Sequence, residues 1–345
     1  MKKRWFYILI LVLSINLITS CKETTELGKI TIQLNWLHDP TFTGEYMITK
    51  DKEIPIVIRE GGPNIYPIPE VLSGRATVAV IGSDIFLQAI DREISKGNEA
   101  NIVCFFVDFQ RNPVGWILHP KAAEEAGLKN DILSDKKRLN GWLFSKFKDG
   151  TLEPGDKRGT ETTSIWIQWK KVHSLPENIK VVPVGFDAGI VLSAPKLAYP
   201  VYLNEEPFKL SERIGKEVIV FDPAVDGIEL YGNVLITKKE NIVSKENLIR
   251  DLVEKLRFGW ESAKKDQSEA IKEVARYYGG VSESVLNKQV DKTLEFVFYG
   301  GNQAGEMDIS ENGRWHQTLL ALQEADLVSP KLSFDILKKY LVISK

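Results

Sequence analysis

The chain has 345 residues, of which 45 are basic and 47 acidic, and its formal net charge at pH 7 is −2. The basic residues are scattered singly, so nucleic acid and anionic surfaces are disfavoured as partners. Only two cysteines are present, which excludes a disulfide framework and cysteine-based metal or redox clusters. The length is enough for one large domain or for two lobes.

The N-terminus has the layout of a secretory signal peptide. Lys2, Lys3 and Arg4 precede an apolar run that is shorter than the roughly 20 residues needed to cross a bilayer. Residues 1–20 are therefore expected to be removed. The processed chain then carries 42 basic residues against 47 acidic ones, a formal charge of −5.

The signal peptide ends at Ile18-Thr19-Ser20-Cys21, which resembles the bacterial lipobox. This resemblance implies that Cys21 is acylated and becomes the new N-terminus, with the polar residues 22–28 as a tether. We expect an exported protein held by its lipid to the cell membrane or outer membrane, facing the periplasm or the exterior. The other cysteine, Cys104, lies in an apolar stretch and is expected in a buried strand.

Short apolar runs alternate with amphipathic stretches through the first third of the chain. They predict strands at residues 29–34, 54–58, 76–81 and 102–106, and helices at 68–73 and 85–94. This order favours an α/β fold with a mainly parallel sheet covered by helices on both faces.

The same pattern is weaker in the middle third and changes towards the C-terminus. It gives an apolar run at residues 141–144, a helix at 164–172 and strands at 180–184 and 217–221. Beyond residue 231 long helices predominate, with apolar residues at helical spacing over 245–264 and three candidate N-caps, Ser244, Ser268 and Ser282. Two α/β lobes of unequal length are predicted.

Ligands of open α/β sheets bind at the carboxyl ends of the strands. Two of the loops at such ends read Gln33-Leu34-Asn35-Trp36 and Gly44-Glu45-Tyr46. They resemble the Leu-Asn-Trp and downstream Gly-x-Tyr of the SsuA/Thi-like solute-binding proteins. Further segments agree in order and spacing: Gly61-Gly62-Pro63, Ser73-Gly74-Arg75-Ala76, Gly82-Ser83-Asp84, Gln110-Arg111-Asn112-Pro113, Val184-Gly185-Phe186-Asp187, Asn204-Glu205-Glu206-Pro207 and Gly313-Arg314-Trp315.

The resemblance implies a type II periplasmic binding protein fold. Its two α/β lobes would be residues 29–117 with 230–345, and residues 118–229, joined by crossings near 115–120 and 223–232. The ligand would lie between the lobes, which close over it by a hinge motion. Members of the family bind thiamine-pyrimidine precursors, riboflavin, alkylsulfonates or nitrate. The implied partners are a small solute and the permease and ATPase of an ABC importer, and we expect a monomer without a cofactor.

The chain departs from the pyrimidine-binding members in the first loop. They resemble Asn-Trp-x-Pro-x-Pro-x-His, whereas here Phe42 stands at the His position and His38 at a Pro position. Residues 193–198 also lack an acidic residue that relatives often carry. These departures weaken a direct transfer of pyrimidine specificity, so the predicted solute is a thiamine-pyrimidine-like or another heteroaromatic compound.

Aromatic walls and a few fixed polar groups suit such a solute. The candidate walls are Trp36, Phe42, Tyr46, Phe186 and Tyr202, any of which core packing would equally explain. The candidate polar groups are Asn35, Ser83, Asp84, Gln110, Asn112 and Thr162. For Ser83 and Asp84 the alternative is a helix N-cap, and for the loop before the helix at Thr162 it is a simple capped turn.

One of three carboxylates is expected to touch the solute: Asp187, Glu205 or Glu206. The alternatives are a solvated loop or an ion pair between lobes. Arg111 or Arg158 would instead meet an anionic solute.

The sequence also bears on two other classes of function. Enzymes related to this family carry a cysteine-rich motif that is missing here, and the four histidines have no metal-ligand spacing. We therefore expect no enzymatic activity and no bound metal. A binding protein for sensing or surface attachment, without a transporter, stays open.

Overall fold

The computed structural model describes residues 29–50 and 54–342. The predicted signal peptide, Cys21 and most of the tether lie outside these residues. None of the helices in the described ranges is both long and apolar enough to cross a membrane.

The first sheet has the strand order β2-β1-β3-β10-β4 within the described residues. Its strands are β1 (Ile30–Gln33), β2 (Ile56–Arg59), β3 (Val78–Gly82), β4 (Ile102–Val107) and β10 (Asn233–Lys238). β1 is parallel to β2 and β3, whereas β10 is antiparallel to both β3 and β4. Val78 and Val80 pack into one apolar core while Ala79 and Ile81 pack into the other, so both faces of this sheet are covered.

The second sheet has the order β7-β6-β8-β5-β9 in the described part of the chain. Its strands are β5 (Val114–Leu118), β6 (Glu153–Asp156), β7 (Val182–Pro183), β8 (Leu197–Tyr202) and β9 (Ile219–Phe221). β6 is parallel to β7 and β8, and β5 runs antiparallel to β8 and β9. Two α/β lobes, each built on a mixed sheet, are therefore present.

Helices connect the strands of both sheets. The described α-helices are α1 (Thr43–Met47), α2 (Pro67–Leu72), α3 (Ser83–Ser95), α4 (Pro120–Glu125), α5 (Asn130–Leu133), α6 (Lys136–Lys148), α7 (Glu161–Val172), α8 (Glu206–Ile214), α9 (Lys239–Ser244), α10 (Glu246–Lys265), α11 (Gln267–Val274), α12 (Glu283–Val297), α13 (Arg314–Glu324) and α14 (Phe334–Lys338). In α10, Ile249, Leu252, Leu256 and Trp260 are buried at helical spacing, as predicted.

Several local predictions need correction. The apolar run at 141–144 lies within α6, because its apolar residues form the buried face of a longer amphipathic helix. Ser282 caps α12, accepting from the Val285 amide, but Asp266 rather than Ser268 caps α11 and Ser244 ends α9. The first sheet is mainly parallel, as predicted, but β10, returning from the other lobe, inserts antiparallel between β3 and β4.

The chain passes between the sheets twice, at residues 108–113 and 222–232. The first passage precedes the predicted one near residue 115, because β5 already pairs with β8 at Val114. The two passages lie side by side: the Asn112 amide donates to the Leu230 carbonyl at 2.8 Å, and the Gly232 amide to the Phe109 carbonyl at 2.9 Å. Arg111 and Asp222 join them through an ion pair of 2.5 Å. The exact lobe boundaries, at 117–118 and 229–230, remain predictions from the sequence.

Candidate functional site

Segments that follow strands of the two sheets meet in an interface that we call the cleft. Trp36 comes three residues after β1 and Phe186 three residues after β7, and their ring centroids are 4.7 Å apart. Beyond β8, the Asn204 side-chain amide donates to the Thr41 hydroxyl at 3.1 Å. The cleft is thus lined from both sheets at the strand ends, where α/β proteins bind ligands.

Two helix N-termini face each other at the centre of the cleft. Asp84 lies in the first turn of α3, and its Oδ2 accepts from the Ser164 hydroxyl of α7 at 2.5 Å. Glu161 is the first residue of α7, and its Oε2 accepts from the Asn112 side-chain amide at 3.2 Å. Since Asn112 belongs to the first passage between the sheets, both lobes and their connection meet here.

The remaining oxygens of these two carboxyl groups converge beside Gly82. A Cβ built on Gly82 would overlap Oε1 of Glu161 and would lie 2.7 Å from Oδ1 of Asp84. Asp84 is 2% exposed, and no hydrogen bond of ordinary geometry from the described residues reaches its Oδ1. Glycine at position 82 therefore leaves room for two acidic groups to approach each other.

Burial, which penalises the charged form, is the main influence on both groups. It raises the pKa of Glu161 to about 8, with the Asp84 charge adding to the effect and Tyr202 and Asn112 opposing it. Burial likewise raises the pKa of Asp84, although the Ser164 hydroxyl lowers it. Both pKa values are therefore shifted towards the protonated form.

A second acidic group lies where β8 ends. Glu206 pairs with Lys157 at 3.0 Å and accepts from the Tyr202 amide at 2.7 Å. Glu205 pairs with Lys209 and accepts from the Tyr278 hydroxyl at 3.2 Å. Burial, reinforced by the Glu205 charge, raises the pKa of nearby Asp39 to about 7.

Comparison with known proteins identifies solved structures with a similar fold. No protein-family model and no curated protein sequence matches the chain. Among solved structures, the chain is similar to the periplasmic aliphatic sulphonate binding protein SsuA from Escherichia coli (10% identity, TM-score 0.62, covering 91% of this chain and 92% of that chain). It also resembles a Candida albicans protein with the generic periplasmic binding protein fold (13%, TM-score 0.58, covering 91% and 96%).

The chain has the periplasmic binding protein fold. The nitrate-binding protein NrtA from Synechocystis shares it as well (9% identity, TM-score 0.59, covering 91% of this chain and 86% of that chain). The named proteins are binding proteins or share their fold. At such low identity the likeness extends to the fold and not to a particular solute.

Among the predicted aromatic walls, Trp36 and Phe186 face the cleft, and Phe186 is 42% exposed. Tyr202 lies beside Glu161. Phe42 and Tyr46, in contrast, are buried inside the first lobe, where Tyr46 stacks on Tyr277 at 4.4 Å.

Several predicted polar groups hold backbone segments in place. The Ser83 hydroxyl donates to the Tyr231 carbonyl at 2.7 Å, and the Gln110 side chain donates to the Gln303 and Glu306 carbonyls. The Thr162 hydroxyl accepts from the Lys157 amide at 3.2 Å, and Asp187 caps a short 3₁₀ helix.

The helix N-cap alternative for Ser83 and Asp84 does not apply, because Gly82 is the N-cap of α3. Asn35 donates to Asn233 at 3.3 Å, while its own side-chain oxygen is buried without a partner among the described residues. Asn112 and Asp84 are the predicted polar residues that meet at the centre of the cleft.

Glu161, Ser164 and Asp39 were not predicted as site residues. Thr160 caps α7, so an acidic residue in the next position has an ordinary explanation as a partner of the helix dipole. Ser164 lies 80 positions from its partner Asp84, and no local pattern indicates such a pairing.

Proposed function

We propose that this chain is an extracytoplasmic solute-binding lipoprotein that captures a small organic solute in the cleft and delivers it to an ABC importer. The contact between Trp36 and Phe186 carries the proposal, because two aromatic side chains from different sheets meet where this fold would enclose a ligand. A flat solute packed against this aromatic pair would lose water from the ring face that it presents to the two side chains. A thiamine-pyrimidine-like or other heteroaromatic solute suits this arrangement.

Capture would use the two passages between the sheets as a hinge. Arg111 and Asp222 join these passages and would keep them together while the lobes move. Solute binding then stabilises the closed arrangement by its differential affinity for the two forms.

The lipid on Cys21 would keep the monomeric receptor near the membrane, where the permease and ATPase receive its solute. Similarity of the fold to SsuA and NrtA supports a role in import. No enzymatic step is needed for this role.

A thermal-shift panel of the purified mature chain tests the proposal. The panel contains thiamine precursors, riboflavin, sulfonates, nitrate and polyamines. A solute present at about 100 times its Kd adds about 2.7 kcal/mol to the stability of the folded state. We expect at least one solute to raise Tm, and a panel without a stabilising solute would contradict the proposal.

Trp36→Ala should abolish or strongly reduce the shift given by the stabilising solute. Leu37→Ala is a matched control, because Leu37 is the next residue and 46% exposed. An unchanged shift in Trp36→Ala would remove Trp36 from the binding site.

A further inference from the structure

We infer that the solute carries a positively charged nitrogen, as an ammonium or amidinium group, and that this group binds between the carboxylates of Asp84 and Glu161. The inference rests on the proposed function and specifies its solute class.

Hydrogen-bond acceptors are in excess at one point of the cleft. Asp84 Oδ1 is buried without a partner among the described residues, and Glu161 Oε1 lies against the same glycine. The side-chain oxygen of Asn35 is also buried without a partner among the described residues, and the Asn35 amide bonds to Asn233, the residue opposite Gly82 in the sheet. A buried acceptor without a donor costs free energy, so a solute that brings N–H donors is favoured there.

The carboxyl groups of Asp84 and Glu161 also lack a positively charged partner among the described residues. Burial, Asp84, Tyr202 and Asn112 are the influences on Glu161, and no lysine, arginine or histidine of the described ranges is among them. Burial is the largest influence on the pKa of Asp84 and raises it, the Ser164 hydroxyl and nearby backbone amides lower it, and again no cation of the described ranges is among the influences. The neighbouring cations Lys157 and Arg111 are already paired with Glu206 and Asp222. The two buried carboxyl groups are therefore left without a counter-charge from the described residues.

Asp84 and Glu161 also face each other from different lobes. Asp84 belongs to α3 of the first lobe and Glu161 to α7 of the second, so closure brings two acidic groups together. Closure requires that one charge be removed, either by a proton or by a cation. A cationic solute would thus couple its own binding to closure.

The same residues disfavour an anion. The N-terminus of a helix attracts negative charge, but the first turns of α3 and α7 already hold Asp84 and Glu161. A sulfonate or nitrate at this position would meet two carboxyl groups instead of free helix N-termini.

Calorimetric titration of the mature chain at pH 7 tests the inference. The cationic probes are agmatine and putrescine, the anionic probes ethanesulfonate and nitrate, and the neutral probe riboflavin. We expect a cationic probe to bind with one-to-one stoichiometry. Glu161→Gln and Asp84→Asn should each weaken it by about 10- to 100-fold, the loss expected for one hydrogen bond to a charged group.

Glu153→Gln is the matched control, because it removes one negative charge from the same lobe at a residue that pairs with exposed Lys180. The affinity of this variant for the cationic probe should equal that of the unmodified chain. A cationic probe that binds all three variants equally well would overturn the inference. Binding of only anionic or neutral probes would also overturn it, yet would leave the proposed function standing. If no probe binds, both fail.

A measurement on the unmodified chain avoids any loss of folding in the variants. The groups facing Glu161 are Asp84, Tyr202 and Asn112, and in the absence of solute burial raises the pKa of Glu161 to about 8. A cation bound beside Glu161 favours its charged form, so binding lowers this pKa and releases the proton. Titrations in phosphate and in Tris, which differ in ionisation enthalpy, should reveal proton release on binding, and binding without proton release would contradict the inference.

Discussion

The rings of Trp36 and Phe186 contact each other with an angle of 48° between their planes, although the two residues belong to segments that follow strands of different sheets. Their contact joins the two lobes at the mouth of the cleft. Phe186 keeps 42% of its surface exposed, so its ring is accessible from solvent while it touches Trp36. Both rings belong to the aromatic residues that the sequence predicts as walls of the binding site.

The first prediction concerns Phe186. Phe186→Ala should weaken binding of the stabilising solute by about tenfold, because an aromatic contact contributes about 0.5–1.5 kcal/mol beyond the area it buries. Titration calorimetry measures the change. Ile190→Ala is the control, since Ile190 is a similarly exposed apolar residue in the adjoining 3₁₀ helix. Equal affinities in the two variants would exclude Phe186 from the site.

The second prediction concerns pH. Burial raises the pKa of Glu161 to about 8 and those of Asp39 and Asp108 to about 7. Between about pH 4 and pH 8 the unfolded chain has already released these protons while the folded chain holds them. Stability should therefore fall as the pH rises through this range.

Thermal unfolding at pH 5.5 and pH 8.5 checks this sign, with the lower Tm expected at pH 8.5. Glu161→Gln should reduce the difference, since the amide cannot ionise. A Tm that rises steadily over this range would show that these carboxyl groups are ionised in the folded protein.

The third prediction concerns the connection between the lobes. Arg111 pairs with Asp222 at 2.5 Å and lies over the Phe296 ring at 4.8 Å. Arg111→Gln should lower the free energy of unfolding by about 1–3 kcal/mol, as expected for a buried charged hydrogen bond. Denaturant unfolding measures the loss.

The matched control is Arg138→Gln. Arg138 also pairs with an aspartate, Asp131, but both side chains are more than half exposed. Exposed pairs contribute about 0–1 kcal/mol, so this variant should change stability little. Comparable losses in both variants would mean that burial does not strengthen the Arg111 pair.

The fourth prediction uses two helical glycines. A Cβ on Gly44 in α1 would overlap the indole of Trp260, which is fully buried in α10. Gly44→Ala should therefore destabilise the fold by about 1–3 kcal/mol through overpacking. A Cβ on Gly141 in α6 would meet nothing within 4 Å, so Gly141→Ala should be neutral or stabilise by about 0.4–1 kcal/mol. The difference in Tm between these variants is the readout.

The sequence predicts those parts of the fold that depend on local patterns. β1, β3 and α10 follow from apolar runs or helical spacing, and Trp36 lies in a short motif after a strand. β10 was missed because its place in the sheet depends on β3 and β4, which lie more than a hundred residues earlier. A long separation along the chain, of 80 and 111 positions, also hides the partners Asp84 and Ser164 and the partners Arg111 and Asp222.

Burial is the other quantity that local patterns leave open. Phe42 and Tyr46 occupy a loop expected to face the solute, yet Tyr46 is held inside the lobe by a 3.0 Å hydrogen bond to His38 and by stacking on Tyr277. The sequence around Glu161 is typical of an acidic residue in the first turn of a helix. Only the tertiary fold brings Glu161 close to Asp84.

Native mass spectrometry of the mature protein purified from its own cells tests the central claim most directly, namely that the cleft binds a small solute. We expect a population carrying one noncovalently bound small molecule, which is lost on unfolding and regained when that solute is added back. The same preparation of Trp36→Ala should lack this population. A protein that carries no small molecule and is stabilised by none of the panel, or a bound molecule that Trp36→Ala retains with unchanged affinity, would contradict it.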